Sequence, residues 1–237
     1  MIDLSKIKAL TWDVGGTVFD WRGTIEEEVR RLASGQSADL DVRQFATDWR
    51  VGMFQRLARV RSGELPWVNA DQLHRTVLDD VLTKHTAIEL SGSERDNLNN
   101  VWHRLNAWPD APAAIEKLRS RYNVVVLTVL SWSIAVDCSK HNGISWDGIL
   151  SCEFLGHYKP DAGAYQKCVS LLRLEPGQAM MVAAHHGDLK AATATGMHSA
   201  YVNSDPDGGV VVEGGDTTPE WDVHTRDFPE LVEKLLA

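Results

Sequence analysis

The sequence predicts an α/β fold: a doubly wound parallel sheet forms the core, and an α-helical cap is inserted after the first strand. Three observations predict it. Short apolar runs of strand length alternate with segments of helical periodicity. A long helical stretch without a convincing strand separates the first apolar run from the others. Reactive side chains follow the apolar runs directly, at the positions where open α/β sheets bind ligands.

The first strand is expected at residues 7–12, a largely apolar run that ends at Asp13. Between residues 24 and 107, apolar residues recur at helical spacing in four successive stripes, and no strand pattern interrupts them. A helical stretch in this place predicts a cap over the carboxyl ends of the strands. The expected division is a core domain of residues 1–20 and 108–237 and a cap domain of residues 21–107.

Three further strands, buried on both faces, are expected after the cap, at residues 124–130, 179–183 and 199–202. Helical patterns precede or follow them, at residues 110–122, 162–172, 188–195 and 228–236. Because strands that alternate with helices pair in parallel, these segments predict one doubly wound sheet. The Gly- and Asp-rich residues 205–220 are expected to form a surface loop.

The composition limits the classes of function. The chain of 237 residues is 43% hydrophobic and 24% charged, as soluble globular proteins are. Its net charge of −9 argues against binding to nucleic acid or to an anionic membrane. Three cysteines without CxxC spacing predict reduced thiols. No apolar run has membrane-spanning length and no signal-peptide pattern is seen, so a cytoplasmic protein is expected.

Four strand ends carry polar residues of a consistent kind. Asp13 precedes a Gly-Gly turn and Thr17, and Thr128 ends the next buried strand. Lys159 and Asp188 follow in that order. Glycines after a strand let main-chain N–H groups approach a small anionic or polar ligand. The ordered set therefore indicates a ligand site at the carboxyl edge of the sheet, with Asp13 at its centre.

This set of motifs, with a helical cap after the first, resembles the haloacid dehalogenase superfamily over nearly the whole chain. Four stretches resemble type II 2-haloacid dehalogenases, and especially their fluoroacetate-active relatives. They are Asp-Trp-Arg at 48–50, Val-Arg-Ser-Gly-Glu-Leu-Pro-Trp at 60–67, Phe-Leu-Gly-His-Tyr-Lys-Pro-Asp at 154–161 and Val-Ala-Ala-His-His-Gly-Asp at 182–188. Each motif is short, and their order, spacing and cap placement together are specific.

The resemblance implies covalent catalysis. Asp13 would attack the α-carbon of a small carboxylate and form an ester, and water would then attack the Asp13 carboxyl carbon. Lys159 would keep the nucleophile ionised. Oxyanion donors would come from the N–H groups after Asp13 and from Thr17 or Thr128. Asp188 or His185 would orient or activate the water, and the resemblance leaves open which of them does.

The resemblance also implies a substrate cradle. Arg50 matches a family arginine that attends the leaving halide or the substrate carboxylate, a role that suits a guanidinium. The other expected substrate-binding residues are Val14, Gly15, Trp49, Val129 and His186. Three of these depart from the family pattern: Gly15 replaces an aromatic residue, Val129 replaces an amide, and His186 replaces a frequent Asn. One interpretation of these departures is a larger or differently charged substrate.

Three alternatives to 2-haloacid hydrolysis stay open at this point. A relative that opens the ring of azetidine-2-carboxylate has the same fold, and its leaving amine would need an acid such as His185 or His186. A phosphatase is disfavoured because Gly15 and Ala192 stand where two Mg²⁺-binding acids are usual. The third alternative is a binder of small carboxylates without turnover.

The expected partner is thus a small carboxylate substrate, with no cofactor or metal. Neither nucleic acid nor a membrane is expected as a partner. Many members of the family form homodimers, but no hydrophobic stripe in this sequence marks an interface.

Overall fold

The computed structural model of the protein describes residues 2–204 and 221–237. Within them, eight strands occur: β1 (Ala9–Trp12), β2 (Phe19–Asp20), β3 (Asn106–Ala107), β4 (Asn123–Thr128), β5 (Gly148–Ser151), β6 (Ala179–Ala183), β7 (His198–Val202) and β8 (Val223–Thr225). Six of them form one parallel sheet in the order β5-β4-β1-β6-β7-β8. The strand that ends at Asp13 is therefore central, and its register pairs Thr11 with Val125 on one side and Met181 on the other.

The helices of the same described residues are α1 (Trp21–Gly35), α2 (Val42–Arg61), α3 (Ala70–Lys84), α4 (Gly92–Asn99), α5 (Ala111–Leu118), α6 (Trp132–His141), α7 (Cys152–Leu155), α8 (Ala162–Leu171), α9 (His186–Thr193) and α10 (Phe228–Leu236). Short 3-10 helices lie at Leu4–Lys6, Asn100–Arg104 and Pro176–Gln178.

Helices cover both faces of the sheet because its strands are apolar on both. Successive strand residues point to opposite faces, so Val126 packs in one hydrophobic cluster and Leu127 in the other. The first cluster contains residues of α5 and α10, and the second contains residues of α8 and α9. Two hydrophobic layers on one sheet hold the ends of β1, β4 and β6 in fixed positions.

The four helices α1–α4 form the helical insert, which we define as residues 21–107. Each of them begins at a polar residue whose side chain accepts a backbone N–H of the first turn: Asp20, Asp41, Asn69 and Ser91. At the base of the insert, β2 pairs antiparallel with β3, so the chain leaves and returns at neighbouring positions. The division into a core domain of residues 1–20 and 108–237 and a cap domain of residues 21–107 stays a prediction.

The predicted fold class is confirmed, although some elements differ from the prediction. The prediction omitted β5 and β8, which are the short strands at the two edges of the sheet. It also omitted the β2–β3 pair and α6. The helix expected from Asp188 begins two residues earlier, at His186, so Asp188 lies inside its first turn. The predicted loop at 205–220 lies outside the described residues. Among the described helices, none has the length and apolar character that a membrane crossing requires.

Candidate active site

Asp13 lies at the centre of a buried network at the carboxyl edge of the sheet. Its side chain is only 6% exposed. Oδ1 accepts a hydrogen bond from Lys159 Nζ at 2.9 Å. Oδ2 accepts from Thr17 Oγ1 at 2.8 Å and lies 3.1 Å from His185 Nδ1. Both carboxylate oxygens of Asp13 therefore contact donors, and Oδ2 has one more donor than Oδ1.

Lys159 holds two carboxylates together. Its Nζ donates to Asp13 and, at 2.6 Å, to Asp188 Oδ2. Burial opposes ionisation of Asp13, but the Lys159 ammonium and His185 outweigh it and hold the pKa of Asp13 below its usual range. Burial and the charge of Asp13 raise the pKa of Asp188. Two carboxylates that share one cation thus have opposite pKa shifts, a common arrangement where one acts as nucleophile and the other as base.

Tyr165 is a member of this network that the sequence prediction missed. Its side chain is fully buried, and its hydroxyl donates a short hydrogen bond to Asp188 Oδ1. Tyr165 belongs to α8, where its spacing is that of an ordinary core residue, so periodicity alone gave no signal. Asp188 therefore accepts one hydrogen bond on each oxygen, from a lysine and from a phenol.

Thr17 connects Asp13 to the end of the neighbouring strand β6. Its hydroxyl donates to Asp13 and accepts from the backbone N–H of Ala184 at 3.0 Å. Thr128 is fully buried, and its hydroxyl accepts the backbone N–H of Leu130 at 3.1 Å. Thr17 therefore contacts Asp13 directly. The hydrogen bond of the Thr128 hydroxyl instead lies within the turn after β4.

Arg50 extends from α2 of the insert to the turn after Asp13. The residue is 4% exposed, and Nη2 lies 3.4 Å from the carbonyl oxygen of Gly15. Its guanidinium carbon lies 4.5 Å from the ring of Phe54 and 5.2 Å from that of Trp21. Among the described residues, Nη1 has no hydrogen-bond partner. A buried cation with a free donor is suited to an anionic ligand.

Burial lowers the pKa of Arg50 to about 10, against the opposing charge of Asp13. The guanidinium therefore stays protonated at neutral pH. Its positive charge acts on Asp13, because the charge of Asp13 opposes the fall in the pKa of Arg50.

The space beside the two glycines after Asp13 is occupied. A Cβ atom at Gly15 would lie 3.4 Å from Arg50 Nη2, and one at Gly16 would lie 3.0 Å from the ring of His185. Gly16 also has a φ of +98°, which side chains other than glycine rarely adopt. The guanidinium of Arg50 and the ring of His185 therefore fill the space beside the two glycines. The glycines provide no extra volume for a larger substrate.

The other expected substrate-binding residues lie in different surroundings. Val14 is fully buried and Val129 is 8% exposed. Trp49 is fully buried, and its indole N–H donates to the carbonyl oxygen of His74 at 2.8 Å. These are packing contacts, and direct contact of Val14, Val129 or Trp49 with substrate stays a prediction.

Of the two adjacent histidines, His185 contacts Asp13. His186 stacks on Tyr201 with ring centroids 4.8 Å apart, and its Nδ1 accepts the indole N–H of Trp221 at 3.1 Å. These contacts orient His186 toward β7, so its contact with substrate also stays a prediction. Within residues 2–204 and 221–237, no three His, Cys, Asp or Glu side chains converge in a way that could hold a metal ion.

Comparisons with known proteins identify the family of the chain. The sequence model of the haloacid dehalogenase-like hydrolases matches residues 7–196. The chain is 27% identical over 210 residues to (S)-2-haloacid dehalogenase 4A of Burkholderia cepacia, a match that covers 86% of this chain and 85% of the relative.

Two solved structures are similar to the whole chain. The L-2-haloacid dehalogenase PA0810 has a TM-score of 0.89 at 31% identity, covering 97% of this chain and 99% of that one. The defluorinating L-2-haloacid dehalogenase Rha0230 has a TM-score of 0.89 at 33% identity, covering 98% and 96%. The resemblance inferred from the motifs is confirmed, and the chain belongs to the haloacid dehalogenase-like hydrolase family.

Proposed function

We propose that the protein is a 2-haloacid dehalogenase, a hydrolase that displaces halide from the α-carbon of a small carboxylate through an ester on Asp13. One observation carries the proposal: Asp13, kept ionised by Lys159, is followed by a turn that a buried arginine contacts, and Nη1 of this arginine, Arg50, has no partner among the described residues. Such a site contains a nucleophile and a cation that stabilises an anionic leaving group. The L-2-haloacid dehalogenases among its structural relatives support the same chemistry.

In the first step, an oxygen of Asp13 forms a bond to the α-carbon while the carbon–halogen bond breaks, and the electron pair leaves with the halide. Oδ1 is the better nucleophile because it has one contacting donor, whereas Oδ2 has two. Arg50 receives the negative charge of the leaving halide. The backbone N–H groups of Val14 and Gly15 are proposed to hold the substrate carboxylate.

In the second step, water attacks the Asp13 carboxyl carbon. Thr17 and His185 already contact Oδ2, where the oxyanion develops. Asp188 accepts a proton from the water. The bond from the carboxyl carbon to the ester oxygen then breaks, that oxygen takes the proton from Asp188 and leaves as the hydroxyl group of the 2-hydroxy acid, and the Asp13 carboxyl group releases its own proton to solvent. The charge of Asp13 is one cause of the raised pKa of Asp188. Esterification removes that charge, so the pKa of Asp188 falls and the base is ionised when it is needed.

A second candidate, hydrolytic ring opening of azetidine-2-carboxylate, is favoured by one observation. His185 lies beside Asp13 and could protonate a leaving amine. Arg50 argues the other way, because a buried guanidinium stabilises an anionic leaving group and repels an ammonium. The two candidates share the ester on Asp13 and differ in the leaving group.

A halide assay and a single turnover in ¹⁸O-labelled water test the proposal. The wild type should release halide from 2-chloropropionate, and Asp13→Asn should release none. With enzyme in excess, the first 2-hydroxy acid should carry unlabelled oxygen, and the label should enter Asp13. Labelled product in the first turnover would exclude the ester. A new primary amine from azetidine-2-carboxylate, without halide release from any 2-haloacid, would favour the second candidate.

A further inference from the structure

His103 connects the helical insert to the core. It lies in the 3-10 helix Asn100–Arg104, where the chain returns from the insert. Its Nε2 is 2.8 Å from Asp71 Oδ1, and its Nδ1 is 2.8 Å from Asp137 Oδ2. Asp71 lies in α3 of the insert, and Asp137 lies in α6 of the core. One imidazole therefore links two carboxylates from different parts of the fold.

This geometry sets the protonation state of His103. A neutral imidazole has one N–H group and one lone pair, and an ionised carboxylate only accepts hydrogen bonds. Both contacts are hydrogen bonds only if both ring nitrogens carry protons. The hydrogen bond with Asp71 raises the pKa of His103, burial opposes it, and Asp137 adds to the increase. The link is thus made by an imidazolium.

Asp71 extends the link to the end of β4. Its second oxygen accepts the hydroxyl groups of Ser131 and, at 2.9 Å, of Ser133. Ser131 is also the N-cap of α6, and its Oγ accepts the backbone N–H of Ile134. The turn that follows Thr128 is therefore joined to α3 of the insert.

The same region of the insert supports Arg50. His74, one turn after Asp71 in α3, accepts the indole N–H of Trp49, which precedes Arg50. His74 also stacks on Trp102, the neighbour of His103, with ring centroids 3.8 Å apart. The hydrogen bond thus joins α3 to α2, and the aromatic stack joins α3 to the 3-10 helix that contains His103.

No other cation balances the two carboxylates within the described residues. Arg75 pairs with acids of the insert, and Arg104 pairs with Glu28. Burial and the charge of Arg50 lower the pKa of His74 well below its usual value, so it is neutral. Burial raises the pKa of the adjacent Cys138 thiol to about 12. The proton of His103 is therefore the balancing charge.

We propose that His103, as an imidazolium bound to Asp71 and Asp137, is a positioning residue that holds the helical insert and its Arg50 against the catalytic core. Below the folded-state pKa of His103 the link is complete. As the pH rises through that pKa, the proton is lost, one of the two hydrogen bonds is lost, and two carboxylates face a neutral ring. The first step, release of halide, should then slow, because Arg50, which is proposed to receive the leaving halide, belongs to the insert. Hydrolysis of an ester that has already formed should change less, because Asp13, Lys159 and Asp188 all lie in the core.

Three variants test this inference alongside the wild type. His103→Gln removes the titrating proton, and Asp137→Asn, at a half-exposed site, weakens the link with little risk to folding. His198→Gln is the matched control, because His198 pairs with Asp222 at 3.1 Å far along the sheet, at β7. Hydrogen–deuterium exchange of residues 70–78 and 131–141, expressed as protection factors to remove the intrinsic pH dependence of amide exchange, reports the link at pH 6 and pH 9. Single-turnover halide release and decay of the Asp13 ester, measured over the same pH range, give the rates of the two chemical steps.

In the wild type, the protection factors and the single-turnover rate of halide release should fall together between pH 6 and pH 9, the rate by about three- to tenfold, with a smaller change in ester hydrolysis. His103→Gln should have low protection and slow halide release at both pH values, and Asp137→Asn should lie between. His198→Gln should match the wild type. A folded His103→Gln with the wild-type halide-release profile and protection would overturn the inference, as would an unchanged Asp137→Asn. The kinetic measurements rest on the proposed function, whereas the exchange measurements do not. If the protein releases no halide, the exchange measurements still test the link through His103.

Discussion

His185 Nδ1 lies 3.1 Å from Asp13 Oδ2, on the carboxylate oxygen that the lysine does not bind. Because an ionised carboxylate only accepts hydrogen bonds, Nδ1 carries a proton in this contact. The imidazole is also one-third exposed, so it borders both the buried nucleophile and solvent. This places a donor where the negative charge of ester hydrolysis is proposed to develop.

His185→Ala should therefore slow ester hydrolysis by about 10²-fold, the usual effect of removing one oxyanion donor, and should retain esterification. The expected result is a burst of halide equal to the enzyme concentration, with an Asp13 adduct in the intact mass. His198→Ala is the control for loss of a partly exposed histidine and should turn over like the wild type. If the variant loses the burst itself, His185 acts in the first step instead.

Tyr165→Phe should affect the same step in a pH-dependent way. The Tyr165 hydroxyl is one of the groups that lower the pKa of Asp188, against the effect of burial. Without it, the pKa of Asp188 rises, so less of the base is ionised at neutral pH. Hydrolysis should slow by about tenfold for each unit of pKa and recover as the pH is raised.

Tyr158→Phe provides the matched control for that experiment. Tyr158 is as deeply buried as Tyr165, but its hydroxyl donates to the backbone carbonyl of Val68. Its pH–rate profile should overlay that of the wild type. Equal shifts in the two variants would mean that general packing, and not the bond to Asp188, sets the rate.

Lys159→Met should abolish most of the first step. With the ammonium gone, burial raises the pKa of Asp13, and two carboxylates lie close together without a cation. Single-turnover halide release should fall by at least about 10²-fold at pH 7. Lys159→Arg keeps the charge and should retain more activity. A Met variant with the wild-type burst would contradict the proposed role of Lys159.

Gly16→Ala and Gly143→Ala separate backbone strain from displacement of His185. Both glycines have positive φ, +98° and +66°, so each substitution should destabilise the protein by about 1–2 kcal/mol in urea unfolding. A Cβ at Gly143 meets nothing within 4 Å, whereas one at Gly16 meets the His185 ring. Only Gly16→Ala should therefore lose ester hydrolysis as well. Normal turnover in that variant would show that the ring adapts.

The convergence of Asp13, Lys159 and Asp188 could be predicted because it follows from local pattern and topology. Asp13 directly follows β1 and Asp188 lies five residues after the end of β6, and the carboxyl ends of parallel strands lie along one edge. Lys159, which was expected at a strand end, instead follows the short helix α7. Arg50 could be placed near them only through the family resemblance, since the pattern of α2 alone gives an amphipathic helix. No local sequence pattern predicts that Nη1 of Arg50 lacks a hydrogen-bond partner, because this depends on which aromatic rings pack around the guanidinium.

The parts that could not be predicted are long-range side-chain contacts. Tyr165 has core spacing, and its bond to Asp188 depends on how α8 packs on α9. His103 shows no ligand spacing, since its two carboxylates are 32 and 34 residues away. His185 and His186 are neighbours with the same side chain, and they differ in their contacts: His185 contacts Asp13, whereas His186 stacks on Tyr201. Tertiary packing determines these contacts.

The short β2–β3 pair has a consequence for protein engineering. Phe19 pairs with Ala107 and Asp20 with Asn106, so the two ends of the insert stand side by side at the spacing of adjacent strands. A replacement segment needs only to match two neighbouring attachment points. Caps from relatives could therefore be grafted between residues 20 and 106 while the nucleophile, its lysine and its base remain unchanged. Such chimaeras would exchange the arginine-bearing part of the site as a unit, so specificity could be transplanted without rebuilding the chemistry.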